Sequence, residues 1–114
     1  MAELPGEYLQ VPFDDARFVA GPTGVFVVTE GADDIVGAGE RAVSLAARIR
    51  SLFAERLSWA PFVDALVVAE PVSCDAAGAT VVPARHVTGL MTEGPRLIAR
   101  DILDRMADVV RDVD

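Results

Sequence analysis

Lysine is absent from this sequence of 114 residues, and all ten of its basic residues are arginine. Eighteen acidic residues leave a formal net charge of −8 at pH 7. An acidic domain does not present the basic field that non-specific binding to DNA requires. The composition therefore disfavours a general nucleic-acid-binding protein. Arginines on one helix face, for instance Arg41, Arg48 and Arg56, could still form a local basic patch.

Cysteine and histidine occur once each, as Cys74 and His86. A single cysteine excludes an internal disulfide and a cysteine metal cluster, and a single histidine excludes a multi-histidine metal site. A Ser-His-Asp triad would depend on His86, and no Gly-x-Ser-x-Gly motif supports one. We therefore expect no bound cofactor, a loop position for Cys74, and a surface position for His86 early in a short helix.

The sequence has no apolar run near the roughly 18 residues that span a bilayer. Its first ten residues, MAELPGEYLQ, lack the basic region of a signal peptide. Hydrophobic residues make up 52% and the mean hydropathy is +0.35, with an excess of Val and Ala rather than aromatics. We expect one cytoplasmic domain over residues 1–114, with apolar surface left for a partner.

The stretch GPTG, residues 21–24, lies between two short apolar runs and is typical of a turn. The runs RFVA, residues 17–20, and VFVV, residues 25–28, therefore predict a β-hairpin whose second strand is covered on both faces. Residues 1–10 predict a loose lead-in to a core over 11–114. Tyr8, Leu9 and Val11 could still add a strand, limited by Pro12 to the sheet edge.

The later segments alternate between helical and strand patterns. Apolar residues at three- and four-residue steps predict a helix over about 36–58, and FVDALVVA, residues 62–69, predicts a central strand parallel to the hairpin's second strand. A short strand over 79–82, a short helix over 83–92 with Val87, Leu90 and Met91 turned inward, and a last helix over about 97–112 follow. The predicted class is α/β with a mixed sheet, in the order β-β-α-β-β-α-α.

Acidic residues stand beside several of the predicted strands. Asp14 and Asp15 precede the hairpin, and Glu30 and Glu70 follow the second and third strands. Carboxylates at strand ends can converge on one sheet edge and hold Mg²⁺. Acids are also common turn residues, so the pattern alone does not establish a metal site.

The segment RFVAGPTGVFVV, residues 17–28, resembles the signature hairpin of the nuclease-related domain (NERD) family, within the PD-(D/E)xK restriction-endonuclease-like superfamily. The long helix, the strand at 63–69, the stretch VVPARHVTGL at 81–90 and the final helix also resemble that family, over about residues 13–113. The resemblance implies a restriction-endonuclease-like core. It also implies a nuclease ancestor that holds Mg²⁺ with two acids and has a lysine beside them.

This sequence departs from the family pattern at all three of those positions. Alignment on Gly21-Pro22 places Ala16 at the first acid, Thr29 at the second and Gly31 at the lysine. The neighbours Asp15 and Glu30 are shifted by one residue, which turns a strand side chain to the opposite face unless a bulge intervenes. The family's helix before the hairpin has little room here, so the domain is expected to be shortened at its N-terminus.

These departures favour a degenerate, non-catalytic member of the nuclease-like fold that acts as a protein-interaction or structural module. We expect a homodimer or a complex with another protein. The alternative is a divergent metal-dependent nuclease that uses Asp15 and Glu30 as catalytic residues and Asp14, Asp15 and Glu30 as Mg²⁺ ligands. A third possibility is an accessory nucleic-acid binder that retains the fold without the chemistry.

Overall fold

A computed structural model describes residues 8–13, 16–31, 34–57, 62–69, 78–95 and 98–113. Within these ranges the chain forms a five-stranded sheet in the order β1-β2-β3-β4-β5 and three helices. The first three strands are antiparallel, and β4 and β5 run parallel to β3. The elements are β1 (Leu9–Phe13), β2 (Ala16–Gly21), β3 (Gly24–Glu30), α1 (Ile35–Arg56), β4 (Val63–Val68), β5 (Thr80–Val82), α2 (Ala84–Thr92) and α3 (Arg100–Val113).

The predicted α/β class and mixed sheet are confirmed, including the hairpin β2–β3 and the crossover of α1 between the parallel strands β3 and β4. The optional edge strand is also present as β1, and its one partner among the described residues is β2. It begins at Leu9, before the boundary expected at residue 11, and precedes the seven predicted elements. The restriction-endonuclease-like origin of this core stays a prediction.

Helix α1 begins where Asp34 accepts a hydrogen bond from the Gly37 N–H at 2.9 Å, which satisfies one of the free donors of the first turn. It ends where Leu57 adopts an extended backbone. The residues that recur at three- and four-residue steps are buried against the sheet: Ala42, Leu45, Ala46, Ile49 and Phe53. Phe53 meets Phe18 of β2 edge-to-face, with ring centroids 5.9 Å apart.

The sheet is covered differently on its two faces. Helices α1 and α3 pack on one face, which we call the α1 face, over a core that includes Phe18, Val25 and Val27. The opposite face, the α2 face, packs Val19, Phe26, Val28, Leu66, Val68 and Val82 against Tyr8 and the short helix α2. The long helices α1 and α3 thus cover the α1 face, whereas the nine-residue helix α2 covers part of the α2 face.

On the α2 face, Tyr8 helps to connect the hairpin turn to the C-terminal end of α2. Its ring lies over Gly21, where an added Cβ would come within 2.1 Å of the ring carbons. Its hydroxyl is 2.7 Å from Thr23 Oγ1, which in turn donates to the Met91 carbonyl at 2.5 Å. The hairpin turn is therefore fixed to the end of α2 by two partly buried hydrogen bonds.

One detail of the helices differs from the sequence prediction. Leu90 was expected to point inward with Val87 and Met91, but its side chain is 39% exposed, because the nine-residue α2 turns only one narrow stripe to the sheet. In α3, Leu103 and Ala107 are buried beside Met106 and Val110. No helix within the described ranges has the length and hydropathy needed to cross a membrane.

Candidate functional site

The three positions that the family resemblance assigns to catalysis lie together at one end of the α1 face. Val25 and Val27 of β3 belong to the core of that face, and side-chain alternation puts Thr29 and Gly31 on the same side. The β2–β3 register pairs Arg17 with Val28, so the next pair along brings Ala16 opposite Thr29. Ala16 packs against the same core. The hairpin thus brings these positions together next to the start of α1.

Thr29 is buried, with 2% of its surface exposed. Its hydroxyl oxygen lies 3.1 Å from the Leu66 carbonyl oxygen and 3.3 Å from the Ala38 carbonyl oxygen. The single hydroxyl proton of Thr29 is therefore shared between one carbonyl oxygen of β4 and one of α1. This environment offers a carboxylate only acceptors, so it does not suit a metal-binding acid at this position.

Gly31 lies where the backbone of β3 leaves the sheet beneath α1. Its N–H donates to the Val68 carbonyl at 3.1 Å. A Cβ at this position would come within 2.4 Å of Val67 Cγ1 and 3.4 Å of the Ala38 Cβ. A lysine side chain therefore has no room here, because the packing of α1 on β4 fills the space.

Glu30 lies on the opposite side of the sheet. The β3–β4 register is continuous from Val25 to Glu30, so the bulge needed to turn Glu30 onto the α1 face is not present. Its side chain is exposed and follows Phe26 and Val28 along the α2 face. Asp14 and Asp15 lie outside the described residues. Within the described part of the chain, no group of three acidic, histidine or cysteine side chains is arranged to hold a metal ion.

The remaining residues singled out by the sequence are dispersed. His86 is exposed in the first turn of α2, as predicted, while Cys74 and Glu70 fall outside the described residues. Arg41, Arg48 and Arg56 are exposed on α1. Arg56 Nη1 lies 2.6 Å from Asp112 Oδ2 of α3, so part of its charge is already offset within the chain.

A second candidate region, which the sequence analysis did not identify, lies at the β4 edge near β5. Two adjoining clefts of about 200 and 210 Å³ open there, one on each side of the sheet, and both are lined by Asp64 and Thr80. We call this region the edge groove. The signal in the sequence was an acid inside an otherwise apolar strand, VDALVV.

Asp64 is the titratable group at the centre of the edge groove. The residue is exposed to solvent, and desolvation of the part of the side chain that is covered raises the pKa of its carboxyl group. Glu93, at the end of α2, lines the cleft on the α2 face. No described residue forms a salt bridge or side-chain hydrogen bond with either carboxylate. Neither carboxylate is therefore paired directly with a basic side chain of the described residues.

Comparison with protein-family models, with curated proteins and with solved structures gave no match. The geometry of these two regions is consequently the basis for the functional argument.

The close packing at Gly31 predicts that an alanine there destabilises the fold. We expect Gly31→Ala to lower the free energy of unfolding by about 1–3 kcal/mol, as overpacked core sites do. Val67→Ala, which removes the clashing methyl group, should recover part of that loss in the double variant. Urea denaturation of the four proteins measures the coupling.

The matched control is Gly89→Ala in α2, since a Cβ there meets no atom within 4 Å. This variant should be as stable as the wild type or more stable, because alanine favours helix over glycine. A Gly31→Ala protein as stable as the wild type would contradict the packing argument.

The raised pKa of the Asp64 carboxyl group predicts that the substitution Asp64→Asn stabilises the protein, and that the gain depends on pH. A folded-state pKa above the ordinary value of 3.8 means that the folded protein binds more protons in the interval between the two values. The wild type therefore loses stability as the pH rises through that interval, and the loss is fully present at pH 7. We expect Asp64→Asn to be more stable than the wild type at pH 7 and equally stable below the unfolded pKa. Thermal melts across pH test this, with Glu40→Gln, at an exposed site beyond the first turn of α1, as the net-charge control.

Proposed function

We propose that this chain is a degenerate, non-catalytic domain of the nuclease-like fold, resembling the NERD family, and that it acts as a protein-interaction or structural module. The observation that carries the proposal is the packed end of the α1 face. The positions that would hold two acids and a lysine hold Ala16, Thr29 and Gly31, and the latter two are fixed by contacts to α1 and β4.

Recovery of nuclease chemistry at this place would require more than three substitutions. Mg²⁺ needs several oxygen ligands at about 2.0–2.1 Å, whereas the space beside Thr29 is occupied by carbonyl groups already in contact with its hydroxyl. A lysine at position 31 would have to displace Val67 from beneath α1. The lack of charged residues at these positions and the close packing of α1 on the sheet thus both argue against a metal site here.

The nuclease alternative depends on Glu30 in partnership with Asp15 or Asp14. A regular β3 directs Glu30 to the α2 face, away from the side on which the family resemblance would place the metal. The nucleic-acid-binding alternative depends on Arg41, Arg48 and Arg56 in a protein of net charge −8. The contact between Arg56 and Asp112 weakens that patch. Both alternatives are therefore less well supported than the non-catalytic module.

If the domain is non-catalytic, as proposed, neither Mg²⁺ nor Mn²⁺ is expected to raise its melting temperature. The proposal also predicts that the protein does not cleave plasmid or single-stranded DNA in the presence of either ion. The control Glu30→Ala should be indistinguishable from the wild type in both assays, and a mobility shift should show no salt-dependent DNA binding. Metal-dependent cleavage that disappears in Glu30→Ala would overturn the proposal.

The apolar composition predicts self-association in addition to any partner binding. Val36, Val43, Phe62 and Leu90 are large apolar side chains left exposed by the described residues. We expect light scattering to give a mass near twice 12.1 kDa at high protein concentration. A clean monomer throughout the concentration range would contradict the homodimer and leave another protein as the partner.

A further inference from the structure

Helix α2 has little in its own sequence that keeps it folded. It is nine residues long, and an isolated helix of that length is unstable in water. Pro83 stands at its N-cap without a side-chain hydrogen bond, the first turn has no acid, and the last turn has no base. Helix α1, in contrast, has 22 residues and is capped by Asp34. The stability of α2 therefore depends on its contacts with the rest of the fold.

Two fully buried side chains of α2 pack on the sheet. Val87 and Met91 lie one helical turn apart and belong to the core of the α2 face, together with Phe26 and Leu66. The other residues of α2 are half-buried or exposed. Helix α1 buries seven residues against the opposite face. Detachment of α2 would therefore expose much less apolar surface than detachment of α1.

Three residues, which we call the Thr23 relay, hold the last turn of α2 by hydrogen bonds. Thr23 donates its single hydroxyl proton to the Met91 carbonyl at 2.5 Å. In the contact of 2.7 Å between the hydroxyls of Tyr8 and Thr23, the proton therefore comes from Tyr8. The Met91 carbonyl lies in the last turn of the helix, where carbonyl groups have no partner within the helix itself. The relay thus connects this carbonyl to the hairpin turn.

The chain on both sides of α2 is anchored by contacts that do not involve the helix. Before α2, the Val82 carbonyl at the end of β5 accepts a hydrogen bond from the Ala69 N–H at 3.1 Å. After α2, the Ile98 N–H donates to the Pro22 carbonyl at 3.1 Å, and Ile98 is buried in the core of the α1 face. Gly94, with a φ of +100°, lies between the helix and Ile98 and has the conformational freedom of a hinge. Helix α2 can therefore leave the sheet while both anchors stay in place.

We propose that α2 is a lid on the α2 face, which opens as a unit separate from the rest of the domain, and that the Thr23 relay holds it closed. Opening breaks the hydrogen bond between Thr23 and Met91, while Thr23 and Tyr8 stay with the hairpin. It uncovers apolar side chains of the α2 face, among them Phe26 and Leu66. The population of the open form then sets how much apolar surface the domain presents. This inference goes beyond the proposed function and does not depend on it.

Native-state hydrogen exchange followed by NMR distinguishes a separate lid from a single cooperative unit. The reporters are the amides of residues 88–93, at the end of α2, and those of Ile49 and Phe53, which are buried in α1. Among the first group, the Glu93 N–H donates to the Gly89 carbonyl at 3.0 Å. We expect protection factors at least about tenfold lower in α2 than in α1, because α2 opens without global unfolding.

Gly31→Ala separates the lid from the rest of the fold. The strain that this substitution introduces beneath α1 persists when α2 opens and is released only by global unfolding. The variant should therefore lower the protection of Ile49 and Phe53 and leave that of residues 88–93 unchanged within about twofold. Low concentrations of urea should show the same asymmetry in the wild type. Exchange in α1 should rise more steeply with urea than exchange in α2, because opening of α2 exposes less surface.

Thr23→Val tests the Thr23 relay. Loss of the hydroxyl leaves the Met91 carbonyl without its donor in the closed form, so the protection of residues 88–93 should fall by about tenfold. Thr23→Ser, which keeps the hydroxyl, should retain most of the wild-type protection. The matched control Thr80→Val makes the same change at an exposed position of β5 and should leave the protection unchanged. If Thr23→Val does not fold, Thr23→Ala removes the same hydroxyl without putting a methyl group in its place.

Three results would overturn the proposal: equal protection of α1 and α2 in the wild type, equal loss of protection from both helices in Gly31→Ala, or unchanged protection of α2 in Thr23→Val. The first two would mean that α2 unfolds only with the whole domain, and the third that the Thr23 relay does not hold it closed. All three are measured without metal ions or DNA, so failure here is distinguishable from failure of the proposed non-catalytic function.

Discussion

The close approach of α1 to the β3–β4 pair is the constraint on which the rest of this structure depends. It is set at Gly31, where the lack of a side chain lets Ala38 and Val67 come together, and at Thr29, whose hydroxyl connects Leu66 to Ala38. Once the first turn of α1 is fixed there, its apolar stripe runs along the sheet as far as the contact of Phe53 with Phe18. Helix α3 then packs beside α1 over β1 and β2.

The same constraint explains why this end of the sheet is unsuited to charged chemistry. A hydrolytic metal site needs carboxylates with open coordination positions and access for water and substrate. Here Thr29 and Gly31 make buried contacts that hold α1 to the sheet, and both are small residues, as such close contacts require. A closely packed interface cannot also hold ionised groups, because burying a charge without a partner costs free energy.

Much of the fold could be predicted because its signals are local. The turn at residues 21–24 between two apolar runs predicted the hairpin, and the spacing of Ala42, Leu45, Ile49 and Phe53 predicted α1 and its buried side. The face occupied by Glu30 could not be decided, since a single bulge would have reversed it, and only the continuous β3–β4 register settles that point. Likewise, the exposure of Leu90 and the partial burial of Asp64 depend on which residues lie beside them in the folded chain, and the local sequence pattern does not give that information.

Two features of the sheet limit its pairing with further strands. At β1 the edge carries Pro12, which cannot donate to a further strand, and α3 packs nearby. Near the other end of the sheet, β4 carries Asp64 in an otherwise apolar strand, and desolvation is unfavourable for its ionised carboxylate. A charge at an open edge discourages pairing with copies that bring the same charge. Pro12 and Asp64 thus act against the same event, pairing with a further strand, one by removing a donor and the other by adding a charge.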